Sequence, residues 1–302
     1  MAKDSKTPPH RPFATAIQAT EATPGLYLIA TPIGNLGDIT LRALETLAAV
    51  DVIACEDTRV TRKLLERYGI ATPLTSYHEH NAAEARPKLL ARLADGQAVA
   101  LVSDAGTPLI SDPGYKLVRA AREAGHAVIA LPGASSVLAA LSVAGLPTDR
   151  FFFEGFLPAK QAARQKRAAR LANIPATLIL FESGPRLTAT LADLAATFGA
   201  RAAAVCRELT KLHEEVKRGD LETLAREYAG GAETRGEFVV VVAPPEDNEK
   251  KEEGNIDGLL RQALRRVSVK DAVGEVALVT GRSRREVYQR ALVLSKDADN
   301  DK

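Results

Sequence analysis

Short apolar runs alternate with amphipathic stretches from Leu26 onward, and this alternation limits the possible folds more than any other feature of the chain. Leu26-Tyr-Leu-Ile-Ala, Asp51-Val-Ile-Ala-Cys, Val99-Ala-Leu-Val and Ala127-Val-Ile-Ala-Leu have the length and β-branched content of buried strands. Between them, residues 57–68 and 82–93 repeat apolar positions at three and four, and 113–125 opens with Pro and closes with Gly, as helices often do. Strand and helix in alternation imply a mostly parallel sheet covered by helices.

A second round follows Pro147, with strand patterns at Phe151-Phe-Phe-Glu-Gly-Phe, Thr177-Leu-Ile-Leu-Phe, Ala202-Ala-Ala-Val-Cys and Phe238-Val-Val-Val-Val, and helical patterns at 160–171 and 185–198. The expected class is therefore α/β: two α/β domains, 24–148 and 149–244, with a cleft between them. Residues 1–23 lack hydrophobic periodicity and are expected to form a disordered tail. The charged stretch 245–255 is a linker by composition, and 256–295 is expected to form a small module of three short helices resembling a helix-turn-helix.

A length of 302 residues, 46% of them hydrophobic, supports two ordinary cores. The two cysteines, Cys55 and Cys206, sit in apolar runs and are expected to be buried thiols with no disulfide. The first 23 residues carry cations but no continuous apolar stretch, and no apolar run reaches membrane-spanning length, so the expected location is cytoplasmic, with no membrane partner. A net charge of +2 does not by itself indicate nucleic acid, so such a reading depends on where the charges cluster.

Open parallel sheets bind ligands beyond the carboxyl ends of their strands, and four loops there stand out. Thr31-Pro-Ile-Gly-Asn-Leu-Gly-Asp forbids both strand and helix and allows close backbone approach. Cys55-Glu-Asp-Thr-Arg places Glu56, Asp57 and Arg59 at a strand-to-helix junction, where Asp57 or Thr58 can also simply cap the helix. Ser103-Asp-Ala-Gly-Thr-Pro-Leu-Ile-Ser-Asp-Pro-Gly offers the Gly106 amide as a donor and Asp104 as an acceptor for a ribose or an amino group. In Leu131-Pro-Gly-Ala-Ser-Ser, small residues open a helix and leave room for a flat ring. A polar knot, Ser76-Tyr-His-Glu-His-Asn, brings His78, His80 and Asn81 together. Two histidines at i, i+2 without a third spaced ligand favour hydrogen bonding over metal, and no metal is expected. Neither a P-loop nor a G-x-G-x-x-G follows the first strand, and Gly34-Asn-Leu-Gly37 follows a strand, unlike a KH clamp.

Together, Leu28-Ile-Ala-Thr-Pro-Ile-Gly-Asn-Leu-Gly-Asp, Glu56-Asp-Thr-Arg, Tyr77-His-Glu-His-Asn, the 103–114 loop, Pro132-Gly-Ala-Ser-Ser, Gly155-Phe-Leu-Pro-Ala-Lys, Arg207-Glu-Leu-Thr-Lys and Gly236-Glu-Phe-Val resemble the small-subunit ribosomal RNA cytidine 2'-O-methyltransferases of the tetrapyrrole methylase superfamily. The resemblance spans about residues 25–243, and 259–294 is similar to the family's helical extension. It implies two α/β domains of the tetrapyrrole methylase type, S-adenosylmethionine in the cleft, a homodimer, and methylation of a cytidine ribose in 16S ribosomal RNA. Carried over by motif, it places Pro32, Asp104, Gly106, Pro108, Ile110, Ser135 and Ser136 around the cofactor, with Phe181, Leu209 and Gly236 closing the cleft from the second domain. Glu182-Ser-Gly-Pro-Arg departs from the family's pattern ahead of the arginine.

Methyl transfer from a sulfonium is an in-line displacement, governed by alignment and exclusion of water. Glu56, Asp57 and Arg59 are expected to organise the site with His78, His80 and Asn81, and the choice of proton acceptor among His78, His80, Glu56 and Asp57 stays open. Lys160, Arg164, Lys166, Arg167 and Arg170 have no acid between Glu154 and Glu182, and Arg282, Arg284 and Arg285 belong to a second cluster with Arg261, Arg265, Arg266 and Arg290. Both are expected to contact RNA, as free small-subunit RNA or the assembled small ribosomal subunit, although Lys and Arg also favour plain solvated helices. A methylase of a tetrapyrrole or other small molecule is the alternative on the same fold, and a non-catalytic RNA-binding protein is the alternative of another class.

Overall fold

The structure, a computed structural model, describes residues 21–245 and 248–300. These fall into two compact units, divided between Ala243 and Pro244. Both α/β sheets lie in the first. No helix among the described residues is long and apolar enough to cross a membrane.

The first sheet contains β1 (Gly25–Ile29), β2 (Val52–Cys55), β3 (Leu74–Ser76), β4 (Ala98–Val102) and β5 (Val128–Leu131), all parallel in the order β3-β2-β4-β1-β5. Every residue of β2 and β4 is buried, as a strand covered on both faces requires. One face packs on α1 (Leu41–Ala49) and α2 (Thr58–Arg67), through Leu47 and Leu65. The other packs on α3 (Ala82–Ala94) and α4 (Tyr115–Glu123), through Leu89, Leu93 and Leu117. The described end of the expected tail is docked here: Ala22 packs on the core, and the Tyr27 hydroxyl donates to the Thr23 carbonyl at 2.8 Å.

The second sheet contains β6 (Phe151–Phe156), β7 (Thr177–Ser183), β8 (Ala202–Arg207), β9 (Glu215–Asp220) and β10 (Glu237–Val242), in the order β6-β7-β10-β8-β9. Only β6 and β7 run parallel. The last strand, β10, inserts antiparallel between β7 and β8. Helices α6 (Gln161–Leu171), α7 (Gly184–Phe198) and α8 (Leu221–Ala229) cover one face.

Helix α5 (Ser136–Ala144), which follows the first sheet in sequence, covers the other face of the second sheet. Its run of small and apolar residues places Val137, Ala140, Leu141 and Ala144 in one cluster with Ile33, Ile179, Cys206 and Val239. This shared core joins the two sheets into one unit.

At the Glu182-Ser-Gly-Pro-Arg departure there is no intervening loop: β7 ends at Ser183 and α7 begins at Gly184, with Pro185 in its first turn. A methyl group on Gly184 would lie 1.8 Å from the Thr234 carbonyl oxygen. Gly184→Ala is therefore expected to destabilise the protein by about 2–3 kcal/mol through overpacking against backbone, as measured by urea unfolding.

The second unit comprises α9 (Asn248–Leu264), α10 (Val269–Thr280) and α11 (Arg284–Asn300) around Ile256, Leu260, Val276 and Val287. Most of the expected 245–255 linker is thus the start of α9. Its Glu and Lys residues favour helix as strongly as they favour solvent. Gly281, left-handed at φ 69°, ends α10, and the side chains of Ser283 and Glu286 cap α11 reciprocally.

Candidate active site

The strand ends of the first sheet are bound to one another before any ligand is considered. Thr31, just beyond β1, exchanges two backbone hydrogen bonds with Gly106 (2.9 and 3.0 Å), and the Thr31 hydroxyl donates to the Ser103 carbonyl. The Gly106 amide is therefore already used within the fold, contrary to its expected role as a ligand donor. Gly106, at φ 84°, instead shapes the wall. In the same 103–114 loop Leu109 and Ser111 are left-handed at φ 73° and 64°. Glu208 and Thr210, on the opposing loop after β8, are left-handed too, at 49° and 68°. These are the only non-glycine residues among those described that adopt positive φ, and strain of this kind gathers at ligand sites.

Between these loops lies a cavity of about 330 Å³. Gly106, Ile110, Ser135 and Ser136 line it from the first half, with Phe181, Leu209 and Gly236 opposite, so seven of the ten expected cofactor residues share one space. Pro32 and Asp104 border a smaller adjoining hollow with Val60 and Lys63. Pro108 is buried within its loop and lines neither. Phe156, half-exposed, and Phe181 meet edge to face at 5.6 Å and make an aromatic wall. Ser135 caps α5 by accepting from the Leu138 amide. Ser136 and Val137, whose amides lack a carbonyl one turn back, line the cavity beside it.

Two carboxyl groups on this wall were not singled out from sequence. Asp112 is pushed up to about 6 by its burial and by the nearby charge of Glu56. Glu182 is buried, holds Arg186 at 3.2 Å and accepts from the Thr190 hydroxyl at 2.6 Å. The second Asp-Pro-Gly of the loop was a visible turn signal for Asp112, whereas nothing local marks Glu182. Cys55 and Cys206 are free, buried thiols; burial pushes Cys206, on the cavity wall, to about 11.

The expected catalytic residues divide into two sets. Asp57 caps α2, and Arg59 grips its carboxylate at 2.6–3.1 Å, which holds Asp57 down at about 2. The Asp57 amide donates to Asp104 Oδ1 at 3.0 Å, tying the second loop to the third. Glu56, Asp57 and Arg59 thus stand beside the cavity loops. His78, His80 and Asn81 do not line the cavity, because they follow β3, the edge strand at the opposite end of the sheet from β1 and β5, whose following segments do line it. Two strand spacings, about 10 Å, separate β3 from β4. Asn81 is a local staple, accepting from the His78 amide at 2.8 Å and donating to the Ser76 carbonyl.

The basic cluster on α6 also divides. Arg164 and Asp193 are 6% and 5% exposed and pair at 2.6 Å, with Gln165 donating to the same carboxylate. Arg164 is therefore a core residue and not an RNA contact. Arg167 makes a two-pronged bond to Glu154 at 2.5 and 2.6 Å. Lys160, Lys166 and Arg170 are exposed. In the second unit Arg284 and Arg285 are exposed in the first turn of α11, while Arg290 and Arg266 pair with Asp257 and Glu275.

Residues 25–225 match the family of Tetrapyrrole (Corrin/Porphyrin) Methylases, and 250–295 match the RsmI C-terminal HTH domain. The chain is 52% identical to Ribosomal RNA small subunit methyltransferase I of Mesorhizobium japonicum, over 95% of this chain and 97% of that one. It is 49% identical to the protein of the same name from Synechocystis, over 90% and 99%. Among solved structures it is similar to uroporphyrin-III C-methyl transferase from Thermus thermophilus complexed with S-adenyl homocysteine, with TM-score 0.50, 21% identity and coverage of 72% and 97%. Fold, cavity-bearing loops and C-terminal module agree, and the chain belongs to the tetrapyrrole methylase family, within its group of small-subunit ribosomal RNA methyltransferases.

Proposed function

We propose that this protein transfers the methyl group of S-adenosylmethionine to the 2'-oxygen of a cytidine ribose in 16S ribosomal RNA, acting as a cytoplasmic homodimer. The near-full-length match to small-subunit ribosomal RNA methyltransferases, C-terminal module included, carries this reading. A tetrapyrrole substrate leaves that module without a role.

The cavity fits the donor in kind. Its aromatic wall of Phe156 and Phe181 suits a flat adenine, and the first turn of α5 suits a carboxylate. Bound there, S-adenosylmethionine supplies an electrophilic methyl group on a sulfonium. The protein aligns the sugar hydroxyl, excludes water and accepts a proton. Asp112 fits the last task best: it lies on the cavity wall, and its proton affinity is near neutrality. Asp57, held near 2 by Arg59, makes a poor base, and Glu56, Asp57 and Arg59 brace the loops instead. Lys160, Lys166 and Arg170, with Arg282 in the turn before α11 and Arg284 and Arg285 in its first turn, are assigned to phosphates of the RNA or of the assembled small subunit.

Incubation with methyl-labelled S-adenosylmethionine and small ribosomal subunits from a strain lacking the enzyme tests this. Label on a cytidine ribose is expected after nuclease digestion and mass spectrometry. Label on a base, or none despite donor binding, refutes it.

A further inference from the structure

The exposed arc of α2 is strongly basic. At 100° per residue, Arg59, Arg62, Lys63, Glu66 and Arg67 fall within an arc of about 140°, while Thr61, Leu64 and Leu65 are buried on the opposite side. That arc holds four cations and one acid. Arg59 is paired with Asp57, but Arg62, Lys63 and Arg67 have no ion pair with any described residue. On α6, by contrast, Arg164 and Arg167 are both tied to carboxylates.

One end of the arc, Lys63 and Arg67, lies along the cleft, while Arg62 at the other end borders none of its hollows. Residues 31–37 border three adjoining spaces in turn: Pro32 borders the hollow walled by Lys63, Ile33 lines the main cavity, and Gly34 begins a second hollow walled by Arg67. Lys211 closes that second hollow, and a methyl on Gly34 would lie 2.4 Å from its side chain. The rim of the second hollow is apolar and open: Leu212 is 94% exposed and Leu36 41%, with the Tyr68 hydroxyl fixed on the Leu36 carbonyl at 2.7 Å. Unpaired cations beside an open ledge that carries an aromatic ring, Tyr68, are a surface on which proteins hold single-stranded nucleic acid, phosphates on the cations and a base against the ring.

We infer that Lys63 and Arg67 form a phosphate rail for single-stranded RNA at the cleft, and that Tyr68, Leu36 and Leu212 receive a base next to the methylated nucleotide. This rests on the ribosomal RNA reading above and adds the surface by which the strand enters.

The test uses full-length K63Q/R67Q, since glutamine keeps the helix, with K160Q/K166Q/R170Q for comparison. Donor affinity is measured by calorimetry, kcat and KM with small ribosomal subunits, and RNA affinity across a salt series. Expected are wild-type donor affinity, a KM for subunits raised about tenfold with kcat within about twofold, and a salt slope reduced by about 1.4, from about 0.7 per lost phosphate contact. An unchanged KM and slope in a variant with wild-type donor affinity overturn the rail. A change of oligomeric state by sedimentation overturns it in favour of a contact between copies. Failure of the wild-type protein to label subunits at any salt instead overturns the function on which it rests.

Discussion

Arg164→Ala is expected to lower the stability of the folded chain by about 3–5 kcal/mol in urea unfolding, whereas Lys166→Ala two residues along should cost under about 0.5 kcal/mol. The difference lies in what each leaves behind. Asp193 is 5% exposed and draws hydrogen bonds from Arg164 Nε at 2.6 Å and Gln165 Nε2 at 2.8 Å, so removing the guanidinium strands a buried carboxylate with amide donors alone. Lys166 is exposed and leaves only solvent. Replacing both buried charges, as in R164M/D193L, should restore most of the loss, because well-packed apolar pairs match buried ion pairs. The folded R164A protein should keep the wild-type KM for small subunits, which K166A should not.

Asp112→Asn should give opposite signs for activity and stability. Turnover should fall by about two orders of magnitude, the usual contribution of a positioned base, with donor affinity by calorimetry changed less than about threefold. The wild-type rate should rise with pH through about 6 and level off, and the variant should lose that limb. Stability moves the other way. The folded-state value of about 6 lies above the 3.8 of an unperturbed aspartic acid, so the folded protein disfavours the charged form. Below pH 4 both states hold the proton and there is no penalty. Between about 4 and 6 the unfolded chain ionises first, and above 6 the folded state bears the full cost, about 1–3 kcal/mol. Asp112→Asn should therefore raise the melting temperature at pH 7.5, with the gain disappearing below about pH 4. A residue that weakens the fold it serves is a mark of a working site.

The first sheet was readable because its strands are buried on both faces and so appear as unbroken apolar runs: Val99 to Val102 was expected, and the strand begins one residue earlier. Strand β9 was not readable. As the charged outer strand of a hairpin, Glu215-Val-Lys-Arg-Gly-Asp carries no apolar signature. Strand direction was hidden as well, since Phe238-Val-Val-Val-Val is the same run whether it pairs parallel or antiparallel. The site loops stood out through their Gly and Pro content, but what fills them depended on distant partners. Asp193 lies 29 residues from Arg164, beyond the span in which neighbouring charges were weighed. His78 and Asn81 lay close to the site in sequence, yet β3 sits at the far edge of the sheet. Asp112 is not legible in its motif, because neither its burial nor the nearby Glu56 charge is a local property.

The placement of β10 has a bearing on synthesis. Residues 237–242 are the central rung of the second sheet, so β7 and β8 stay unjoined until almost the whole α/β unit has left the ribosome. The donor cavity takes Gly236, Phe238 and Val239 from that same segment. A nascent chain short of it thus exposes two open apolar strand edges and lacks one wall of the chamber, which leaves methyl-donor capture to chains complete through β10.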